Sequence, residues 1–526
     1  MGAGGAMDVR HVVIVGAGPA GLFAARMVRL LLPAAAVEVF ERAGPDEVSG
    51  FGVTLSARTL GGIAEADPDT HRRIAAASLP LSGIEIALPS ATLRYDGFEV
   101  ASISRSTLLA ILREQAEAVG ARVRYRAAVP PGAVPAADVA VFADGAASAH
   151  RGARAAGFGT TARAGAARFV WLGTPADLGG RTSFAFVRTP HGPMAAHCYP
   201  HADAGGTVVV ETDEATWRAA GLAGAETVGA TGGATVGATV GEAALVRLGD
   251  VFADHLGGAG LVGARSRWGR FTVVANRSWS AGNAVLLGDA AHTAHFTVGS
   301  GTKLALEDAM ALATALAAHP DRAEAFRAYE EARRGPVTRT QRLAAPSMRW
   351  WESYGRRLHL PPEEFGLHFL TRTPAMTYVA LRRRCPERLA EAAVLFGGRA
   401  DRHAAEAPFE HGSIRLPHRV VSEAVPRLVE VPCPEDPDWS ELDPPLPKVE
   451  DGCAVLVRAQ EGREWERWHE TVRYAGAVRA GTGRPVAVRV PADWRDGPGL
   501  DADGDSWQAR VHLALLSGRI DLVAAR

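Results

Sequence analysis

The chain is 526 residues long, 47% hydrophobic and 22% charged, a balance that excludes a disordered or collagen-like chain and predicts two or three domains. Its 57 basic and 58 acidic residues leave a formal charge of -1, so no global field draws it to nucleic acid or to an anionic membrane surface. Four dispersed cysteines, Cys198, Cys385, Cys433 and Cys453, form no CxxC pair and no metal-ligand cluster, which predicts reduced thiols in a cytoplasmic protein without a metal site.

Met1–Ala6 carries no pattern, and Met7 reads as the natural start. The next apolar run is short, broken by glycines and without a small-residue cleavage site, so it predicts a strand rather than a signal peptide. His11–Val15 reads as a buried strand, Leu22–Leu32 as a helix and Val37–Phe40 as a second strand. Together they make a βαβ unit at the start of an α/β domain. Thr107–Val119 predicts an amphipathic helix stopped at Gly120, with a strand at Arg122–Tyr125 and another, buried, at Asp138–Phe142. From about Ala167 to Val274 the texture changes. Phe169–Leu172, Thr182–Val187, Ala195–Tyr199 and Thr207–Thr212 are short β-like runs between turn residues, which predicts an antiparallel sheet inserted between two parts of the α/β domain. Thr227–Gly241, a near repeat of Thr-Val-Gly-Ala, reads as a flexible surface insertion without chemistry. Ala284–Leu287 returns to a buried strand, and a long helix runs from about Gly301 to Ala318, with further helices to about Gly398. Proline and acidic residues dominate Val431–Asp451, which reads as a linker or an extended wrap. No apolar run reaches the ~20 residues of a membrane span.

Three turns carry chemistry. Gly16-x-Gly18-x-x-Gly21, with Pro19 and Ala20 between, lies after a strand and opens a helix. Glycines there permit a tight turn and close approach of backbone to a pyrophosphate at the helix N-terminus. Glu41 falls 20 positions after Gly21, at the end of the second strand, placed to accept from a ribose diol; Arg42 beside it can stack on adenine. Val141-Phe-Ala-Asp144-Gly145-x-x-Ser148-x-x-Arg151 is a strand ending in Asp-Gly, and Ala284-Val-Leu-Leu-Gly288-Asp289-Ala290-Ala291-His292 is a strand ending in Gly-Asp. An aspartate at a strand C-terminus can bind a ribityl or ribose hydroxyl.

In this order the three turns resemble those of the flavin-dependent aromatic hydroxylases, the para-hydroxybenzoate hydroxylase-like class. The resemblance implies FAD as the tightly held cofactor. It implies Arg105, in Ser104-Arg105-x-x-Leu108, on the FAD phosphates or ribose, and Asp289 on the ribityl and pyrophosphate. It implies Gly299-Ser300-Gly301-Thr302-Lys303 beside the isoalloxazine ring, and it counts Val129 and Gly288 among the cofactor positions. Backbone N–H groups at the Gly301 helix start suit a flavin locus that carries negative charge when reduced. As one of only two lysines, with Lys448, Lys303 stands out; the alternative for it is a solvated helix-start residue. More closely, Phe169-Val-Trp-Leu-Gly173, Val209-Val-Glu-Thr212, the run from Gly288 to Asp308, and Phe369-Leu-Thr-Arg372 resemble the monooxygenase half of salicylyl-CoA 5-hydroxylases and anthraniloyl-CoA monooxygenases.

The resemblance implies an α/β fold: a Rossmann-like FAD-binding domain over 8–166 and 275–400, an inserted β-sheet substrate domain over 167–274, and a small C-terminal region over 401–526. In that family the C-terminus often carries an old yellow enzyme-like (βα)8 barrel. Ile414–Val421, Arg484–Trp494 and Leu516–Val523 resemble its opening, middle and closing strands. Pro408 to Arg526 spans 119 residues, against ~250 for a typical barrel, so the tail is expected to be a collapsed remnant that holds no FMN.

The implied activity is monooxygenation. NAD(P)H visits transiently, O2 adds at flavin C4a, and an electrophilic oxygen passes to an electron-rich ring presented as a CoA or carrier thioester. The rival reading keeps the cofactor and makes the protein a biosynthetic tailoring oxygenase of a free phenolic, indolic, polyketide or seven-membered ring. A third makes it a regulatory or scaffolding flavoprotein. His295, His292 and His197 are the candidate acid–base groups. His295, beside Phe296, is expected to face the flavin's reactive side, and His292 to satisfy backbone near it. Arg382-Arg383-Arg384 reads as a solvated helix face rather than a CoA clamp, and Trp350 and Trp351 as packing. The partners expected are a small-molecule substrate, no nucleic acid and no membrane, with a homodimer weighed as the oligomeric form.

Overall fold

The structure is a computed structural model that describes residues 9–48, 50–203, 205–223, 226–227, 239–263, 266–421, 427–436, 439–496 and 506–525. Met1–Met7 lies outside the described residues, as does nearly all of the Thr227–Gly241 insertion. The chain divides into two compact units, Met1–Gly83 with Glu99–Met348, and Ile84–Phe98 with Arg349–Arg526.

The first unit is built on a six-stranded sheet, in the order Ser280–Ala281, Ala284–Leu286, Val139–Phe142, His11–Val15, Ala36–Phe40, Arg122–Arg124. From Ala284–Leu286 to Arg122–Arg124 every neighbouring pair is parallel. Val12, Val13 and Ile14 are fully buried, as continuous apolar strands covered on both faces must be. One cover is the helix Pro19–Leu31, which buries Pro19 through Val28. Proline at its first position costs no hydrogen bond, because that N–H has no intrahelical acceptor. The expected helix at Thr107 starts two residues earlier, at Arg105, because Ser104 Oγ accepts from Thr107 N–H at 3.1 Å and caps it.

A seven-stranded sheet runs in the order Gly52–Leu55, Ala91–Ser104, Leu79–Leu88, Thr182–Thr189, Gly192–Pro200, Gly206–Thr212, Arg168–Thr174. The expected strands within 167–274 are all there, a residue or several longer. Three more come from 52–104, which the expected boundaries gave wholly to the FAD-binding domain. Residues 167–274 fall within the first unit, while Ile84–Phe98 of the other stretch belong to the second. The second expected boundary, at 400, also differs from the observed division at Arg349.

The second unit carries a five-stranded, all-parallel sheet, in the order Val420–Val421, Leu522–Ala525, Val486–Val490, Ala454–Arg458, Leu428–Pro432. The helices Trp468–Thr482 and Trp507–Leu516 make two of its crossovers. The first and second strands in sequence lie at opposite edges, so the sheet is open. Trp350 and Trp351 are buried as packing residues, and Arg382, Arg383 and Arg384 are exposed. The expected linker Val431–Asp451 does more than connect. Glu441 within it is buried, bonded by Arg357, by Ser353 Oγ at 3.0 Å and by Arg473 at 3.4 Å. Burial alone would raise its pKa; the two guanidiniums hold it below the usual carboxylate range. All four cysteines are buried free thiols.

Candidate functional site

The glycine turn is shaped by its own backbone. Gly16 sits at φ +107°, and a Cβ there would lie 2.3 Å from Ala143 O; one on Gly21 would lie 2.0 Å from Gly16 O. Both glycines are therefore demanded by packing. Gly18 differs, since a Cβ on it meets nothing within 4 Å. It is the N-cap of the helix Pro19–Leu31 and offers no side-chain cap. The first-turn N–H groups of Ala20 and Gly21 and the positive end of the helix are left for an anion. Glu41 Oε2 accepts from Ala17 N–H and Oε1 from Ala43 N–H, both at 2.9 Å, which fixes the carboxylate while leaving lone pairs for a diol. Arg42 is exposed, and Val129 is half-buried against the core.

The three motif turns meet because their strands are neighbours. Val15 pairs with Phe142, and Phe142 with Leu286, so the turns leave the same edge of the sheet at the strands' C-terminal ends, where α/β sheets bind ligands. Arg151 Nη1 also donates to Ala290 O at 2.9 Å, tying the Asp-Gly end to the Gly-Asp end. Asp144 is occupied differently from the expectation. Its Oδ1 accepts from Ser148 Oγ at 2.5 Å, and its Oδ2 lies 2.9 Å from His150 Nδ1. Burial would raise its pKa, but His150 and Ser148 hold it down, so this aspartate secures the turn from within the chain.

Asp289 faces a hollow. The residue is exposed, yet the surrounding protein desolvates it enough to push its carboxyl pKa up, against the pull of His292 and Arg105. Arg105 is half-buried on the same hollow; burial pulls its pKa down and the Asp289 charge props it up. Its N–H is anchored on Phe51 O at 2.8 Å. Gly288, at φ +60°, brings the Gly-Asp turn against Ala20 Cβ, 2.9 Å from where its own Cβ would stand. Gly299 takes φ +62°, and the 18-residue helix Gly301–Ala318 begins with no side-chain cap. The buried Ser300 Oγ has no protein partner. Gly301 and Thr302 form the uncapped first turn, while the half-buried Lys303 places Nζ 3.1 Å from Glu307 along the helix. A backbone cleared at Gly18, two uncapped helix N-termini, an Asp–Arg pair facing a hollow and an orphaned buried hydroxyl fit a dinucleotide with an anionic pyrophosphate and a hydroxylated chain.

The histidines separate. His292 Nε2 lies 2.8 Å from Asp308 Oδ2, whose other oxygen accepts from Arg333 Nε at 2.8 Å. Burial would raise the Asp308 pKa, but His292 and Arg333 hold it below the usual range. Gly288 N–H also donates to that carboxylate, at 3.3 Å. His292 thus supports the Gly-Asp turn through a carboxylate, rather than by bonding backbone as expected. His197 and His295 come together around Glu211, which the sequence reading includes in the run Val209–Thr212 without giving it a role. His197 Nε2 is 2.8 Å from Glu211 Oε2, His295 Nε2 is 3.7 Å from Glu211 Oε1, and all three side chains are buried. His295 Nδ1 lies 2.8 Å from Thr297 Oγ1, itself 2.8 Å from Ser347 Oγ. Phe296 is central to the aromatic wall, with ring centroids 5.0 Å from Phe169, 5.7 Å from Trp171 and 6.0 Å from Phe271.

Comparison with known proteins agrees with this geometry. The FAD binding domain family matches residues 247–344. A salicyloyl-CoA 5-hydroxylase from Streptomyces sp is 42% identical over 375 residues, spanning 70% of this chain and 71% of the relative. A 3-hydroxy-4-methyl-anthranilyl-[aryl-carrier protein] 5-monooxygenase from Streptosporangium sibiricum is 37% identical over 345 residues, spanning 65% and 89%. Among solved structures, the tetrameric form of 2-methyl-3-hydroxypyridine-5-carboxylic acid oxygenase superposes with a TM-score of 0.52 at 19% identity, over 66% of this chain and 93% of that one. Among the described residues no helix is long and apolar enough to cross a membrane, and no group of histidine, cysteine and carboxylate side chains is arranged to hold a metal.

Proposed function

We propose, from the premise that this chain belongs to the FAD-dependent aromatic monooxygenases, that it hydroxylates an aromatic ring presented as an acyl thioester of CoA or of a carrier protein. The fold is the para-hydroxybenzoate hydroxylase-like one, and the cofactor is FAD, with NAD(P)H and O2 as co-substrates. The observation that carries the substrate class is that both named relatives, by their names, act on aryl groups held as thioesters. The tailoring alternative, a free ring, is favoured by the C-terminal sheet. Among the described residues that sheet has five strands and two open edges, against the eight strands of a closed barrel that could carry a second ring-modifying step.

When FAD is bound, the chemistry it supplies is acceptance of two electrons from NAD(P)H and activation of O2 for transfer of one oxygen atom to the ring. The chain's residues do the rest. Gly16, Gly18, Pro19, Ala20 and Gly21 admit the pyrophosphate, and Glu41 accepts from the adenosine ribose, with Arg42 and Val129 bordering it. Arg105 and Asp289 hold the opposite end of the dinucleotide chain. Ser300 Oγ and the N–H groups of Gly301 and Thr302 offer donors where negative charge develops on the reduced ring system. Phe169, Trp171, Phe271 and Phe296 exclude water around the substrate ring. His295 accepts the proton of a ring hydroxyl or amino group, which raises the nucleophilicity of the carbon to be oxygenated. We place the protein in the cytoplasm and in secondary metabolism.

The test is NADH and NADPH consumption with salicylyl-CoA, anthraniloyl-CoA and their free acids side by side, with product analysis. Stimulation and hydroxylation with a thioester are expected; activity with free acids alone removes the thioester reading. Flavin extracted from the purified protein is expected to be FAD at about one per chain, and a second flavin identified as FMN removes the collapsed-barrel reading.

A further inference from the structure

The proposed chemistry leaves one buried carboxylate, between His197 and His295, without a role. A strand of seven buried residues, Gly206–Thr212, carries one acid, Glu211, 1% exposed. An isolated buried carboxylate is strongly disfavoured unless it is paired. Here two imidazoles reach it through Nε2, at 2.8 Å from the neighbouring strand Gly192–Pro200 and at 3.7 Å from the loop of His295. The two distances differ in kind. The first is a hydrogen bond in which His197 donates; the second is too long for one but short for Coulomb attraction. His295 holds its other nitrogen on the Thr297 hydroxyl. With the proton on Nδ1, donated to Thr297, Nε2 is the basic nitrogen, and the Glu211 charge stands 3.7 Å from it.

We infer that Glu211 is a positioning residue that makes His295 the proton acceptor of the hydroxylation, by holding a negative charge at the nitrogen that receives the substrate's proton. This deepens, and rests on, the reading that the substrate ring carries an ionisable O–H or N–H. In the step, the ring O–H bond breaks and its electron pair stays on oxygen. A new N–H bond forms at His295 Nε2, and the imidazolium is neutralised by the Glu211 carboxylate beside it. No oxidant or reductant enters. Thr297 Oγ1 and Ser347 Oγ then offer the proton at Nδ1 a hydroxyl path of two 2.8 Å links.

Several groups face His295. Glu211 comes from its strand, and His197 acts through Glu211. Phe271 presents its ring at 4.8 Å, Phe296 stacks at 4.4 Å, and Ser347 acts through Thr297. Among these groups the Glu211 carboxylate is the charge that opposes an imidazolium at His295. The placement serves the reaction because Phe296–Val298 leads straight into the Gly299 turn and the uncapped Gly301 helix, whose first-turn donors face the flavin ring in the proposed binding mode.

The test compares wild type, Glu211→Gln and Glu211→Asp, each first shown to hold FAD at the wild-type ratio. An adjacent carboxylate favours the charged imidazolium, so its removal makes His295 a weaker base. In E211Q the acid limb of the kcat/KM profile should move to lower pH by about one unit or more, and kcat at its plateau should fall about tenfold or more. E211D, which keeps the charge, should recover part of both. A second readout needs no turnover. The CoA thioester of 2-hydroxy-5-nitrobenzoic acid changes its absorbance on ionisation, and wild type should bind it as the phenolate at a pH where E211Q binds it as the phenol. An unmoved acid limb in E211Q, an E211D no better than E211Q, or a probe equally ionised by both proteins overturns the assignment. If free 4-nitrophenol is ionised on binding by wild type but not by E211Q while no thioester turns over, the thioester reading falls and the role of Glu211 stands.

Discussion

Gly16 and Gly18 stand two residues apart in one turn, yet alanine at each should fail for opposite reasons. At Gly16 the backbone needs φ +107°, and the new methyl would press on a main-chain carbonyl 2.3 Å away. The left-handed conformation alone costs about 1–3 kcal/mol for a residue with a side chain, and a carbonyl in the middle of the sheet edge cannot swing aside. Gly16→Ala should therefore lose more than about 3 kcal/mol of stability and cofactor binding with it. At Gly18 the backbone lies at φ -75°, ψ -178°, which any residue adopts, and the methyl meets nothing. Gly18→Ala should leave the apoprotein within about 1 kcal/mol of wild type, the small loss being that of a poorer N-cap. The open space is where the pyrophosphate must come, so the methyl displaces it from backbone donors. Losing one charge-assisted hydrogen bond costs about 1.5–3 kcal/mol, or about 10–150-fold in FAD affinity. Urea unfolding of the apoproteins and titration of FAD fluorescence separate the two effects. A Gly18→Ala protein that binds FAD as tightly as wild type would refute the idea that the cofactor passes over this turn, and one as unstable as Gly16→Ala would show the space to be needed by the fold.

Asp308→Asn removes the charge that His292 and Arg333 share and leaves the buried Arg333 guanidinium with Glu307 as its counter-charge, so the protein should lose about 1.5–3 kcal/mol in urea unfolding and part of its flavin content. Glu441→Gln should destabilise the second unit by about 3–5 kcal/mol, because Arg357 would keep its burial without the Glu441 charge; limited proteolysis should show fragments cut after Met348 appearing first. Glu214 gathers Arg168, Arg270 and Arg218, in that order of effect, and its pKa falls from 4.5 to about 2. A depressed carboxylate contributes stability above its unfolded pKa and loses it as pH falls through the folded value. Wild type should accordingly lose more stability than Glu214→Gln between about pH 4.5 and pH 2, and equal slopes in that window would exclude the role.

Much of the site was legible because its parts are local. A strand, a glycine turn and a helix start lie within a few residues, and the Asp-Gly and Gly-Asp strand ends carry their own signature. Parallel pairing of buried strands then places the three turns side by side without long-range guesswork. The long hairpin Leu79–Leu88 and Ala91–Ser104 was not read, although Leu93 and Tyr95 alternate with exposed residues, because its half-buried strands give a weak period. Glu211 escaped for a different reason. A single acid in an apolar strand looks like a solvent-facing position until the neighbouring strand supplies a histidine at the register position opposite Val209 and the loop supplies a second. Asp144 shows the converse, a residue expected to bind the cofactor whose observed partners, Ser148 and His150, lie four and six positions on in sequence and could have been weighed as its own.

The pairing of Val139–Phe142 with Ala284–Leu286 has a consequence for biosynthesis. As the polypeptide leaves the ribosome, the early strands can align, but the outer edge of Val139–Phe142 stays bare until the whole antiparallel insertion has been translated and the later strand arrives. A naked, fully apolar edge invites association with other nascent chains. Synthesis halted between the two strands should therefore yield chaperone-bound or aggregated product, while release past the Gly301 helix should yield soluble material, with the switch falling near residue 290.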